Sequence, residues 1–332
     1  MDELERRRRY TKDTLEQLRE KMANAPHYLA SNACICVIGS FGRGEASQFS
    51  DADAFIVGKS EPVGGTGGSR SLLRPLDAIC VKAEMVKAVR QLGIRDFDGD
   101  GRYLISHHVN ELIETLGTPN DDVVNTFTHR LLLLLEGYPV VGEDVYDDIT
   151  QLIIAKYWRD YGDHEDDFVP GFLANDILRL WRTFCVNYEA RTSAVSVDEK
   201  AKRRVKNYKL KHSRLLTCYS ALIYLLFVFG RDGTVSPKSA ISMIKMTPTQ
   251  RLEELLKERQ LDNAHSDVKE CLTQYNLFLE ATNRPEPEMQ DAFKDKRSSQ
   301  EQMETAKKCG DALFRVLNII GGQNAFHRIL VV

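Results

Sequence analysis

Net charge is nearly absent from this chain. It has 45 lysines and arginines against 48 aspartates and glutamates, a formal charge of −3 over 332 residues. That balance excludes a protein that coats nucleic acid with its whole surface and leaves room only for local basic patches. Long apolar runs are also absent. The longest, ALIYLLFVFG at 221–230, is roughly half of what a bilayer requires. The opening residues, MDELERRRRYTKDTLEQL, contain no apolar segment, so no signal peptide is expected. The seven cysteines form no CxxC pair and no Cys/His grouping at zinc spacing. Cys34 and Cys36 lie in an apolar run, and Cys80, Cys185 and Cys218 lie in helix-like stretches, so reduced, mostly buried thiols in a reducing compartment are expected. No Ser/His/Asp triad can be argued from spacing, and no dinucleotide fingerprint is present. These exclusions point to a cytoplasmic enzyme or regulator.

What is there is ordinary globular material. Apolar residues make up 42% and charged residues 28%, enough to bury a normal core, and the length suggests two or three domains. Residues 2–25 read as a helix with a loose apolar stripe of Leu4, Tyr10, Leu15, Leu18 and Met22, and the Arg6–Arg9 run reads as its solvated face. ACICVI at 33–38 reads as a buried strand and residues 55–57 as a second. The glycine-rich KSEPVGGTGGSR lacks the Lys-Ser/Thr that a P-loop needs, so it reads as a flexible loop. A helix over 76–92 closed by Gly93 follows, then a strand, turn and strand within 94–105, and helices at 110–116 and 121–136. From 144 onward the pattern is almost wholly helical, with helices at 144–160, 172–190, 200–230, 236–245, 248–260, 265–281 and 299–319. The expected class is α+β: an N-terminal helix (1–30), a small mixed-sheet domain (31–143) and a mainly helical domain (144–332).

The chemistry concentrates in VIGSFGRGEASQFSDADAFIVG, residues 37–58. A strand ends at Gly39-Ser40, the chain turns through a short helical piece, and a strand returns with Asp51 and Asp53 at its start. Residues two apart on a strand share a face and lie about 7 Å apart along the backbone. Two carboxylates on one face repel unless a cation sits between them. Mg²⁺ suits such a pair, because it takes one or two carboxylates together with phosphate oxygens. Gly39 permits close approach of backbone to a phosphate. Ser40 adds a hydroxyl and an N–H near a helix start, where anions are favoured.

GSFGRGEASQFSDAD resembles the DNA polymerase β-like nucleotidyltransferase superfamily, and in particular its bacterial members with Gly-Ser-x-x-Arg-Gly-Glu followed by Ser-Asp-x-Asp. The uridylyltransferase- and adenylyltransferase-like regulators are such members. The resemblance implies a metal-dependent transfer of a nucleoside monophosphate from an NTP to a hydroxyl-bearing acceptor, with release of pyrophosphate. It implies Asp51 and Asp53 as catalytic metal ligands for Mg²⁺ or Mn²⁺, and Gly39, Ser40 and Arg43 as groups around the nucleotide. The third carboxylate of the family is expected at Asp98, with Asp100 second. Both lie in RDFDGDG, where a plain Asp-rich turn competes with the catalytic reading. DFDGDG also matches the start of an EF-hand loop, but its twelfth position is His107 rather than Glu.

Cations facing the triphosphate are expected from the helical part. Arg179 and Arg182 share a helix face, KAKRRVKNYKLK runs from 200 to 211, and Lys209 and Arg214 are the chosen phosphate contacts. Tyr208 is either a base-stacking or a core residue. With one aromatic in that run, single-strand stacking gains little support. His107 and His108, adjacent on a strand, face opposite ways, which argues against joint metal ligation. His129 and His164 read as surface or cap residues. The acceptor is open between protein, tRNA, nucleotide and small molecule, with protein or small molecule favoured over long RNA and no membrane partner. The competing class is a catalytically degenerate member that senses nucleotide or binds a partner.

Overall fold

A computed structural model describes residues 2–64, 68–97, 100–101, 104–190, 196–322 and 324–331. The chain divides into two compact units, Glu5–Lys156 and Met1–Leu4 with Tyr157–Val332. The fold is mixed α and β. The division falls at 156/157 rather than at 143/144, and most of the N-terminal helix belongs to the first unit instead of standing apart.

The first unit is built on a four-stranded sheet of order β5-β2-β1-β6. Strand β1 (Ala33–Ile38) pairs antiparallel with β2 (Asp53–Gly58), placing Ile38 opposite Asp53 and Ala33 opposite Gly58. β6 (Tyr138–Val141) adds antiparallel to β1, and β5 (Ser106–His108) adds parallel to β2. Alternation gives the sheet two apolar faces. Ala33, Ile35, Val37, Ala54 and Ile56 join one core with Leu15, Leu18 and Met22 of α1 (Glu3–Lys21) and Val81, Met85 and Ala88 of α4 (Pro75–Gln91). Cys34, Cys36, Phe55 and Val57 on the opposite face are equally buried. There Phe55 meets the His129 ring of α7 (Thr126–Glu136) at 5.9 Å.

The remaining elements of this unit are short. α2 (Ala25–Leu29) has Pro26 in its first turn, so the proline begins a second helix where the sequence suggested only an end to the first. α3 (Gly39–Gly42) follows β1 directly. The segment read as a flexible loop contains a two-stranded ribbon, β3 (Ser60–Pro62) and β4 (Ser69–Ser71), with Glu61 opposite Arg70 and an ion pair between them at 2.6 Å. α5 (Val109–Glu114), α6 (Asn120–Val123) and α8 (Glu143–Tyr157) complete it. Of the region 94–105, expected to carry two strands, the described residues show only a bridge from Arg95 to Asp51 before β5 starts at Ser106.

The second unit is helical: α9 (Gly171–Glu189), α10 (Val197–Lys209), α11 (Leu215–Asp232), α12 (Pro237–Ile244), α13 (Pro248–Leu255), α14 (Asp262–Ala281), α15 (Glu286–Lys294), α16 (Lys296–Gly321) and α17 (Ala325–Val331). α15 and α17 were not expected from the sequence. α10 and α11 are joined without a break by a π-helical turn, Leu210–Arg214. The continuous stretch Val197–Asp232 is long and apolar enough to cross a membrane, with an 18-residue window of mean hydropathy 1.5. However, 67% of that window is buried inside the fold, as in a core helix. All seven cysteines are free thiols.

Candidate functional site

The site begins where β1 ends. Gly39 has φ +64°, a conformation L side chains rarely adopt. A Cβ built there would lie 2.7 Å from Oδ2 of Asp53. The glycine therefore serves two local needs, the left-handed turn and the close approach of the Asp53 carboxylate to the elbow backbone. Ser40, half-buried, is the second residue of α3, and its carbonyl accepts from the Glu45 N–H at 2.8 Å, which closes the loop back on the elbow.

Asp51 precedes β2 and forms a parallel bridge with Arg95. Ala52, Ala54 and Ile56 all enter the same core, so the alternation runs unbroken through the segment. Asp51 and Asp53 therefore share the opposite face, as the spacing predicts. The Ser47 N–H donates to Ser50 Oγ at 3.0 Å, so Ser50 orients the turn ahead of the acid pair.

Glu136 was not anticipated here. It ends α7, is buried, and accepts from the Gly39 N–H at 3.3 Å through Oε1 and from Arg43 Nη1 at 2.8 Å through Oε2. Arg43 also donates through Nε to Glu45 Oε1 at 2.6 Å. Arg43 is only 8% exposed and acts as an internal strut between two carboxylates, whereas the resemblance implied a group around the nucleotide. Gly42 allows the end of α7 to pack this closely, since a Cβ there would overlap the Glu136 carbonyl. Arg7, read as part of a solvated face, is likewise buried and donates to the Glu45 carbonyl at 3.0 Å. Thr11 Oγ1 accepts from the Ala46 N–H at 2.9 Å. α1 thus clamps the motif loop from outside. These partners lie 35 to 97 residues away in sequence, and no local pattern announces them.

The expected third acid, Asp98, lies outside the described residues. Asp96 is held by Arg90, Nε to Oδ1 at 3.1 Å, at the end of α4. Asp100 is exposed and sits in a left-handed turn with φ 57°, in keeping with the plain-turn reading. Among the described residues no group of three His, Cys, Asp or Glu side chains is placed to hold a metal ion.

A histidine pair, also missed, stands at the other end of β2. His107 lies beside Val57 in the sheet register. Its Nε2 is 3.0 Å from Nδ1 of His129, and its Nδ1 is 3.3 Å from Oε2 of Glu111. His129 is buried rather than a surface residue. Burial, helped by the neighbouring His107, pushes its pKa down to about 4. Burial also lowers His107, against the pull of Glu111. His108 caps α5, its Nδ1 accepting from the Glu111 N–H at 3.4 Å, so both adjacent histidines meet Glu111.

Lys209 and Arg214 belong to the second unit. Lys209 is exposed at the end of α10, and the Arg214 guanidinium lies 5.2 Å over the Phe184 ring. Tyr208 is a core residue. It is buried among His212, Phe278 and Phe293, with its hydroxyl 3.2 Å from Thr305 Oγ1, and burial raises its pKa to about 12.

No model of a known protein family matches this chain, and no curated protein matches its sequence.

Proposed function

We propose that the chain is a metal-dependent nucleotidyltransferase that moves a nucleoside monophosphate from an NTP to an acceptor hydroxyl and releases pyrophosphate. The observation that carries this reading is the abutment of the Gly39 elbow on the Asp53 carboxylate, with Asp51 on the same face two residues earlier. The donor set fits a hard divalent ion: two carboxylates beside a glycine whose lack of a Cβ makes room for the Asp53 oxygen against the elbow. Asp51 and Asp53 would hold Mg²⁺ or Mn²⁺. When bound, the ion would neutralise charge on the phosphate oxygens. The chain's own contribution is positioning. The Ser40 hydroxyl and N–H, at a helix start, orient the polyphosphate. Glu136 and Arg43 hold the elbow rigid from behind. Asp98 is the proposed third acid.

Two groups expected to face nucleotide, the Gly39 N–H and Arg43, are already engaged by Glu136. That engagement favours, as a second reading, a catalytically degenerate protein of the same architecture that senses nucleotide or binds a protein partner. One experiment separates the two. The protein is incubated with each of four α-labelled NTPs and Mg²⁺ in lysate, alongside Asp51→Asn and Asp53→Asn variants. The transferase reading expects label on an acceptor with wild type and loss of at least 100-fold with either variant. Equal transfer by mutant and wild type removes it. NTP binding that persists without divalent ion, with no pyrophosphate release, establishes the sensor.

A further inference from the structure

The run between Lys200 and Arg214 carries eight lysines and arginines, and no acidic residue occurs from there until Asp232. In a chain of net charge −3 this is a marked local excess of positive charge. By sequence it has one aromatic, Tyr208, and that side chain is buried. The fold supplies the aromatics from elsewhere.

α9 runs antiparallel beside the π turn and the start of α11. Trp181 meets Tyr219 edge to face at 6.1 Å, and Phe184 lies beneath the Arg214 guanidinium at 5.2 Å. Burial raises the pKa of the Cys185 thiol and the Tyr188 hydroxyl, with Lys211 opposing at the first and Arg203 and Arg204 at the second. Trp181, Phe184 and Tyr188 stand at i, i+3 and i+7, so they form one stripe of the helix. Each is half-buried, while Lys206 and Lys211 are exposed. Glu189, at the end of the stripe, contributes an acid that also acts on Tyr188 and Cys185. α15 holds Arg204 through the Phe293 carbonyl at 3.0 Å.

We infer that α9, the basic face of α10 and the π turn form a binding surface for single-stranded nucleic acid. The cations suit successive phosphates, and the half-exposed rings suit unpaired base faces, which a duplex hides. The stripe extends about 10 Å along α9, more than one base requires, so the surface fits a strand better than a mononucleotide. RNA and DNA share the chemistry it reads. The inference holds whether or not the chain transfers nucleotides.

Fluorescence anisotropy of full-length protein with labelled 20-nucleotide oligo(U), oligo(dT) and a duplex of equal length tests it. Both single strands should bind at 50 mM salt, and the difference between them shows whether the sugar is read. The duplex should bind at least tenfold more weakly. With about five phosphates contacted, single-strand affinity should fall about 100-fold between 50 and 200 mM salt. The chain has two tryptophans, and Trp158 is buried with its indole N–H on the Val235 carbonyl. Quenching of tryptophan emission on binding therefore reads stacking on Trp181. Lys206→Glu/Lys211→Glu should weaken binding at least tenfold. Lys12→Glu/Lys269→Glu, the same charge change on exposed residues elsewhere, should leave it within twofold. Absence of single-strand binding at 50 mM salt, equal binding of the duplex, or equal weakening by the control pair overturns the inference. So does equally tight capture of polyglutamate or phosphatidylserine vesicles with the same sensitivity to the Lys206/Lys211 change.

Discussion

The residues that decide the elbow differ in how far away their reasons lie. Gly39, just after β1, and Asp53, at the start of β2, are fourteen positions apart, and a glycine opening a short helical piece is readable as a special backbone position. Gly39→Ala forces a side chain into a left-handed turn and against the Asp53 carboxylate. A loss of about 1–3 kcal/mol is expected, read as a lower midpoint in urea, with transfer activity falling further because Asp53 must move. Arg43 is the opposite case. The resemblance implied a group around the nucleotide, and its packing role became evident only with Glu136, 93 residues away. Arg43→Met removes a buried cation from between two buried carboxylates, and a cost of about 3–5 kcal/mol is expected. If Arg43 were instead a phosphate ligand, the variant would raise the KM for NTP and leave the denaturation midpoint unchanged. The two measurements together distinguish strut from ligand.

At the scale of elements, strong periodicity was legible and weak periodicity was not. β1 and the long helices announce themselves because each buries a continuous apolar face. The β3–β4 ribbon has polar residues at most of its positions, so nothing in SEP or SRS marks a strand, and only the pairing of Glu61 with Arg70 shows it. The 121–136 segment was read as one helix and is two, because Asn125 takes a left-handed turn, φ 58°. What joins α6 to α7 is a buried pair: Arg130 donates to Asp121 Oδ2 at 2.5 Å and to the Leu112 carbonyl at 2.8 Å, tying α5, α6 and α7 together. Asp121 is held below the usual carboxylate range by hydrogen bonds from Arg130 and Thr126, although burial opposes this as the largest single influence. Arg130→Met should cost about 3–5 kcal/mol by leaving Asp121 buried and uncompensated. Asp121→Asn/Arg130→Met should recover part of that loss, measured as a double-mutant cycle in urea.

For the whole molecule, acid sensitivity is built into both units. His129 in the first and His212 in the second are each pushed to about 4 by burial. His212 stacks on Phe278, donates from Nδ1 to the Tyr208 carbonyl at 3.0 Å, and leaves its Nε2 without a hydrogen-bond partner. A folded pKa below the unfolded value of about 6.5 means that the unfolded chain binds more protons in between. Stability from each ring is therefore fully present above about pH 6.5 and is lost as pH falls toward 4, by up to about 3 kcal/mol per ring. Thermal midpoints should drop between pH 7 and pH 4.5. His129→Phe and His212→Phe should each flatten part of that slope, and a slope unchanged in both variants would rule the two rings out as its source. The boundary between the two compact units at 156/157 was not legible, because α8 reads from sequence like the helices that follow it.

The sequence by itself determined the elements with strong periodicity and the Gly-Ser…Asp-x-Asp arrangement, since both are set by spacing along one short segment of backbone. Only the tertiary structure decided which charges are internal and which face outward. Arg7, Arg43, Glu136 and His129 are buried by partners remote in sequence, while the basic run of α10 gains its aromatic neighbours from α9. The physical reason is the same in both cases. A side chain's direction follows from local geometry, but its desolvation and its partners depend on what another part of the chain brings to it.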